Sequence, residues 1–213
     1  MSGESGRLAR RQADRISEVF TEAGLKVLGI MGSPRIKGNT DLLLDEALKG
    51  AQSQQAEVEK IVVDKLKIAP CREYYGCLKD GNCVIRDDMD EIYPKITDAD
   101  IIIVASPMFF YGPSAQIKAL IDRCQALWAR KYVLKQKPAN SARKGAFIAV
   151  GATRGEKLFE GSILMIKYFF QAVDVEYTAE LLIRGVDARG EIKEHPAALS
   201  DAFNLGQRLA QNL

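Results

Sequence analysis

From Lys26 onward the chain alternates between two kinds of apolar pattern. KVLGIMG, residues 26–32, is a short apolar run that stops at Gly32, and TDLLLDEALKGAQ, residues 40–52, then carries its apolar positions at helical spacing. VEKIVVD, residues 58–64, alternates. DIIIVASP, residues 100–107, is apolar almost to its end, and GAFIAVG, residues 145–151, repeats that pattern, as strands covered on both faces of a parallel sheet do. A fifth strand is predicted over 176–184, with helices over about 87–97, 115–129, 157–172 and 196–211, the last opened by His195 and Pro196. Ahead of these, Leu8, Ile16, Val19, Phe20 and Ala23 sit at roughly helical spacing and Gly24 ends the segment. This predicts an amphipathic helical extension over residues 1–24, packed on its own domain or against another subunit, before a main domain over 25–213.

Five strands alternating with helices, without repeats, are the signature of a parallel α/β sandwich. Three polar or glycine-rich loops, 32–40, 106–114 and 151–156, each follow the carboxyl end of a strand. Doubly wound sheets bind ligands at that edge, where strand order reverses.

Composition narrows the chemistry. With 213 residues, 47% hydrophobic and 27% charged, the chain suits one folded domain. Thirty basic against twenty-eight acidic residues leave +2, which gives no support to nucleic acid binding through bulk charge. A single histidine, His195, rules out a multi-histidine metal site and leaves little for a nucleophilic triad. An enzyme built this way relies on a cofactor for its reactivity. No run of eighteen apolar residues crosses a membrane, and the N-terminus mixes Arg7, Arg10 and Arg11 with Glu4 and Asp14, unlike a secretory or transit segment. The expected compartment is the cytoplasm, with Cys71, Cys77, Cys83 and Cys124 reduced.

The loop GSPRIKGNT, residues 32–40, joins a buried strand to a helix. Its small residues let the backbone bend around an anion, Ser33, Asn39 and Thr40 offer side-chain donors, and the helix N-terminus adds N–H groups. It is neither a Walker A loop, because Asn39 follows Gly38, nor a G-x-G-x-x-G fingerprint. The second loop, SPMFFYGPS, presents Met108, Phe109, Phe110 and Tyr111, side chains suited to a flat apolar ring. In the third, GATRGE, Gly151 and Gly155 permit close approach, and Arg154 either meets a phosphate or carbonyl oxygen or stays in solvent.

The G-S-P-R-x-x-G-N-T loop, the segment A-S-P-x-x-x-x-x-P-S-A-Q-x-K-A-L-I-D-R at 105–123 and the later glycine-rich loop together resemble the NAD(P)H-dependent FMN reductases and iron-sulfur flavoproteins of the flavodoxin-like superfamily. That resemblance implies a doubly wound five-stranded parallel sheet of order 2-1-3-4-5 with helices on both faces. It implies that Ser33, Arg35, Asn39 and Thr40 hold the FMN phosphate. It also implies that Pro107, Met108, Phe109 and Tyr111 border the isoalloxazine, and that Gly151, Ala152, Thr153 and Arg154 approach its polar edge. The implied activity is hydride transfer from NAD(P)H to FMN and onward to a quinone, flavin, nitro compound or ferric species, in a homodimer or homotetramer. Trp128 and Tyr132 are interface aromatics or core. An electron carrier docking a protein partner, and a thiol-based redox sensor, are the alternative readings. CREYYGCLKDGNC supplies Cys71, Cys77 and Cys83 but has Tyr74 where the iron-sulfur relatives carry another cysteine. A standard cluster needs four thiolates, so none is expected, and Cys124 reads as a buried small hydrophobe.

Overall fold

The computed structural model describes residues 24–136 and 142–211, so the extension read from residues 1–24 lies, but for Gly24, outside the described residues. Five strands, β1 (Lys26–Met31), β2 (Glu57–Val62), β3 (Ile101–Pro107), β4 (Lys144–Gly151) and β5 (Glu176–Arg184), form one sheet. Every neighbouring pair is parallel, and the order is β2-β1-β3-β4-β5. The helices are α1 (Asn39–Gln52), α2 (Cys77–Asp80), α3 (Met89–Asp98), α4 (Ala115–Arg123), α5 (Gln125–Tyr132), α6 (Glu160–Ala172) and α7 (Ala198–Gln211).

The two-residue period of a strand divides its side chains between two cores. Ile101, Ile103 and Ala105 of β3 join Leu43, Leu44 and Ala47 of α1 and Leu205 of α7. Ile102 and Val104 face the other way, toward Ile92 of α3, Leu120 of α4 and Phe170 of α6. β1, β3 and β4 are covered on both faces, which is why their sequences read as continuous apolar runs. His195 stands where the sequence placed it: its Nδ1 accepts the N–H of Ala198 at 3.2 Å at the start of α7.

One expected helix is two. The run over 115–129 breaks at Cys124, whose φ of −68° and ψ of 1° end α4, and α5 continues to Tyr132. The Cys124 N–H is shared between the carbonyls of Leu120 and Ile121, the tightened geometry of a helix terminus. No Gly or Pro marks the place, so the pattern gave no sign of it. Trp128 and Tyr132, rings 5.4 Å apart, are half-buried rather than core.

Arg143, just before β4, is buried and spends its guanidinium on backbone carbonyls. It donates to Ala99 at 2.7 Å, to Val173 at 2.6 Å and to Ile96, tying the carboxyl ends of α3 and α6 to the base of β4. Burial lowers its pKa from the usual arginine value, so the contacts work against a desolvation cost. Arg143→Met leaves those carbonyls without their donor. Urea unfolding is expected to show a loss of about 3 kcal/mol; a change within about 0.5 kcal/mol, the range of an ordinary surface substitution, would show that the clamp is dispensable.

Candidate active site

The first loop leaves β1 where the Gly32 N–H reaches the carbonyl of Ala105 at 2.8 Å, which joins the carboxyl ends of β1 and β3. Ser33 is buried, and its hydroxyl accepts the N–H of Arg35 at 3.1 Å. Lys37 adopts a left-handed φ of 55°, uncommon outside glycine. The carboxylate of Asp41 holds it there by accepting the Lys37 N–H at 2.7 Å. Lys60 of β2 pairs with Asp41 and, at 2.6 Å, with Asp45, so a buried carboxylate in the first turn of α1 is charge-compensated. Asn39, Thr40 and Asp41 open α1 with first-turn N–H groups that a helix leaves without internal partners.

The second loop contains a tight turn: Phe109 and Gly112 exchange N–H···O bonds of 2.8 and 3.0 Å. Phe110 and Tyr111 between them have φ of 50° and 62°, and Phe110 is fully exposed. Ser106 accepts the Ser114 N–H at 3.0 Å, and Ser114 caps α4 by accepting from Ile117. The third loop is held from β5, where Arg184 donates to the carbonyls of Gly155 and Glu156 and lies 4.8 Å over the Phe159 ring.

A shallow cavity of about 90 Å³ joins these loops. Ser33, Arg35, Asn39 and Thr40 line it from the first loop and the start of α1, and Pro107, Met108, Phe109 and Ala152 from the second and third loops. Four residues named from the sequence stand outside this lining. Gly151 is buried and Thr153 is exposed. The hydroxyl of Tyr111 sits 2.3 Å from where a Cβ on Gly155 would lie, and the Arg154 guanidinium packs in the same way against Gly185. The Asn39 side chain is occupied within the protein, donating to the Ala188 carbonyl at 2.9 Å and accepting from Ile192 N–H at 3.2 Å. Sequence reasoning missed the fourth loop, after β5, which brings Val186, Asp187 and Arg189 to the cavity; Arg189 also reaches the Ile36 carbonyl at 2.5 Å. The glycines of RGVDARG were the available signal.

The cysteine loop is built separately. Arg123, whose side chain is fully buried, donates to Ala69 at 2.9 Å and Ile85 at 3.0 Å and pairs with Asp87 at 2.5 Å, closing the base of the loop. Arg130 holds its tip through the Gly81 carbonyl at 2.9 Å. Cys71, Cys77, Cys83 and Cys124 all line one cavity of about 720 Å³, which shares no lining residue with the first.

A parallel sheet of this order, with a polar cradle and an apolar wall at its carboxyl edge, defines a flavodoxin-like α/β protein. The family model of the NADPH-dependent FMN reductases matches residues 25–175, and the chain belongs to that family. An iron-sulfur flavoprotein of Methanocaldococcus jannaschii is 38% identical over 194 residues, covering 88% of this chain and 96% of that protein. Another, from Archaeoglobus fulgidus, is 41% identical over 140 residues, 65% of this chain and 69% of its own. Among solved structures, an NAD(P)H:quinone oxidoreductase from Methanothermobacter marburgensis shares the fold with a TM-score of 0.70 at 17% identity, over 88% of this chain and 96% of that one. The protein is thus a flavin-dependent oxidoreductase, with FMN as cofactor and NAD(P)H as cosubstrate.

The chemistry of the cradle suits FMN: the first loop and the start of α1 offer buried hydroxyls, first-turn amides and Arg35, the fourth loop adds Arg189, and the second and third loops offer apolar side chains. The cysteine loop does not fit the four-iron cluster that the relatives' names imply. Tyr74 stands between Cys71 and Cys77, and among the described residues no three Cys, His, Asp or Glu side chains converge on a point able to hold a metal ion. The fourth cysteine, Cys124, is buried at the junction of α4 and α5, and burial pushes its thiol up to about 12.

Burial works to raise the Asp87 pKa, but Arg123 and the N–H groups of Ala69 and Met89 outweigh it and hold the carboxyl below its ordinary value. A depressed carboxyl stabilises the fold above the unfolded pKa of roughly 3.9, and that contribution is lost as pH falls through the folded value. The protection factors of amides across 69–87, exchange rates taken relative to the intrinsic rate at each pH, are therefore expected to fall on acidification below about pH 4. Asp87→Asn should already show low protection at neutral pH and lose most of this acid dependence; equal protection profiles in the two proteins would contradict the assignment.

Proposed function

We propose that this chain binds FMN across the crevice of the three loops, takes hydride from NAD(P)H there, and passes the electrons to a small acceptor such as a quinone, free flavin, nitro compound or ferric species. The observation that supports this reading is the meeting of the 32–40, 106–114 and 151–156 loops around one cradle, lined by polar residues from the first and apolar residues from the other two. Bound FMN supplies two-electron acceptance and return; the chain holds and orients it.

Ser33, Thr40 and the first-turn amides of α1 hold the phosphate, and Arg35 neutralises it. Asn39 acts from behind, fastening the loop to Ala188 and Ile192. Pro107, Met108, Phe109 and Ala152 keep water from the flat ring system. Gly151, Thr153 and Arg154 belong to its polar edge, where N–H groups and a cation favour negative charge. Tyr111 bridges from the second loop to Gly155 of the third. The fully exposed Phe110, flanked by half-exposed Phe109 and Tyr111, forms an apolar knob beside the cradle. A second copy covers it in a homodimer or homotetramer.

In anaerobic stopped flow, NADPH is expected to bleach the flavin absorbance near roughly 450 nm, a property of the cofactor, and menadione to restore it with ping-pong kinetics. Flavin that neither NADH nor NADPH bleaches would instead favour an electron carrier. Arg35→Ala, at an exposed position, should weaken FMN retention about tenfold, equal to ~1.4 kcal/mol, while leaving the melting temperature of the apoprotein unchanged.

A further inference from the structure

The largest cavity among those described lies not at the cradle but beneath the cysteine loop, and the hydride chemistry above makes no use of it. Its walls come from α4, α5, α6 and the loop, with Trp128 and Phe169 among them. Tyr74 and Tyr75, 60% and 58% exposed, stand over it, and Tyr168 of α6 joins them at 66%. The backbone that presents the two loop tyrosines is strained: Glu73 and Tyr75 have φ of 52° and 57°. Such conformations persist only where the surroundings impose them, and they gather at ligand clamps. Here Arg123, Asp87 and Arg130 impose them from the base and tip of the loop.

We infer that this cavity is a second small-molecule site, built for an uncharged planar aromatic compound of one to three fused rings and independent of the flavin cradle. Its volume of about 720 Å³ falls within the range of small-molecule pockets. Aromatic walls with sulfur at their edges bind flat rings through stacking and S···π contacts. The charges at the rim cancel: Arg72 and Lys118 stand with Glu73 and Asp122, and Lys118 is already bonded to Asp122 at 2.6 Å. No net field therefore selects an anion or a cation. Burial raises the Cys77 thiol and pushes Cys124 up to about 12, so both present neutral sulfur to the cavity rather than thiolate. Neutral thiols line a pocket as small hydrophobes.

The test uses the FMN-loaded protein and 2-naphthol, which is uncharged at neutral pH and gives the flavin no hydride. Calorimetry is expected to give a saturable isotherm. Peptide mass spectrometry after iodoacetamide treatment should show Cys71, Cys77 and Cys83 alkylated at least fivefold more slowly when 2-naphthol is present. Tyr168→Ala, at an exposed wall position, should weaken binding at least fivefold; Leu164→Ala, exposed one turn earlier on α6 but outside the cavity, should leave it unchanged. FMN content should be the same in all three proteins. Absence of saturation, or equal affinity in the Tyr168 variant, would overturn the inference. So would thiols that are protected without any ligand and become reactive on dilution, because a second copy of the chain would then occupy the cavity.

Discussion

The structure depends on the gap that opens where the winding of the sheet reverses. β1 lies between β2 and β3, so the chain leaves it toward one edge through α1 and returns past it through α3. At their carboxyl ends β1 and β3 therefore send their loops apart, and a crevice is unavoidable. Gly32 sets its shape: a Cβ there would fall 2.1 Å from Cγ1 of Ile117 in α4, so the first loop can pass this close to the second helix layer only without a side chain. The polar lining of the crevice follows from the start of α1, and its apolar lining from the residues that β3 and β4 deliver one step beyond their buried runs.

Long-range arginine contacts to backbone oxygen hold the loops of both the crevice and the cysteine-lined cavity. Arg184 fixes the third loop, Arg189 ties the fourth to the first, and Arg123 and Arg130 fix the cysteine loop. Loops leave carbonyl groups without sheet or helix partners, and a planar guanidinium with five donors can satisfy several of them from one distant position. The same solution recurs below the sheet, where Arg143 gathers three carbonyls. Loops ordered in this way lose little freedom when a ligand arrives, which favours tight binding.

The uneven legibility of the sequence follows from the range of the forces involved. β1, β3 and β4 were readable because burial on both faces writes an uninterrupted apolar run, and the three cradle loops because each interrupts such a run with small polar residues. β2 and β5, at the sheet edges, alternate more; β5 falls on the residues expected, 176–184, while β2 begins one residue earlier and ends two residues earlier than its 58–64 pattern. The break at Cys124 was invisible, since packing rather than Gly or Pro makes it. The arginine contacts span up to 153 residues between partners, as for Arg189 and Ile36, and no local pattern records them. Tyr111 packs against Gly155 and Arg154 against Gly185, contacts that only the meeting of separate loops decides.

The account stands on the amino end of α1 being the phosphate end of the cradle. Equilibrium titration of the apoprotein with FMN and with riboflavin, which lacks only the phosphate, reads that directly. FMN should bind at least about a hundredfold more tightly, or ~2.7 kcal/mol, and Ser33→Ala should narrow the difference. Equal affinity for the two flavins would mean that the first loop does not carry the phosphate, and the orientation of the cofactor in the crevice would have to be reversed.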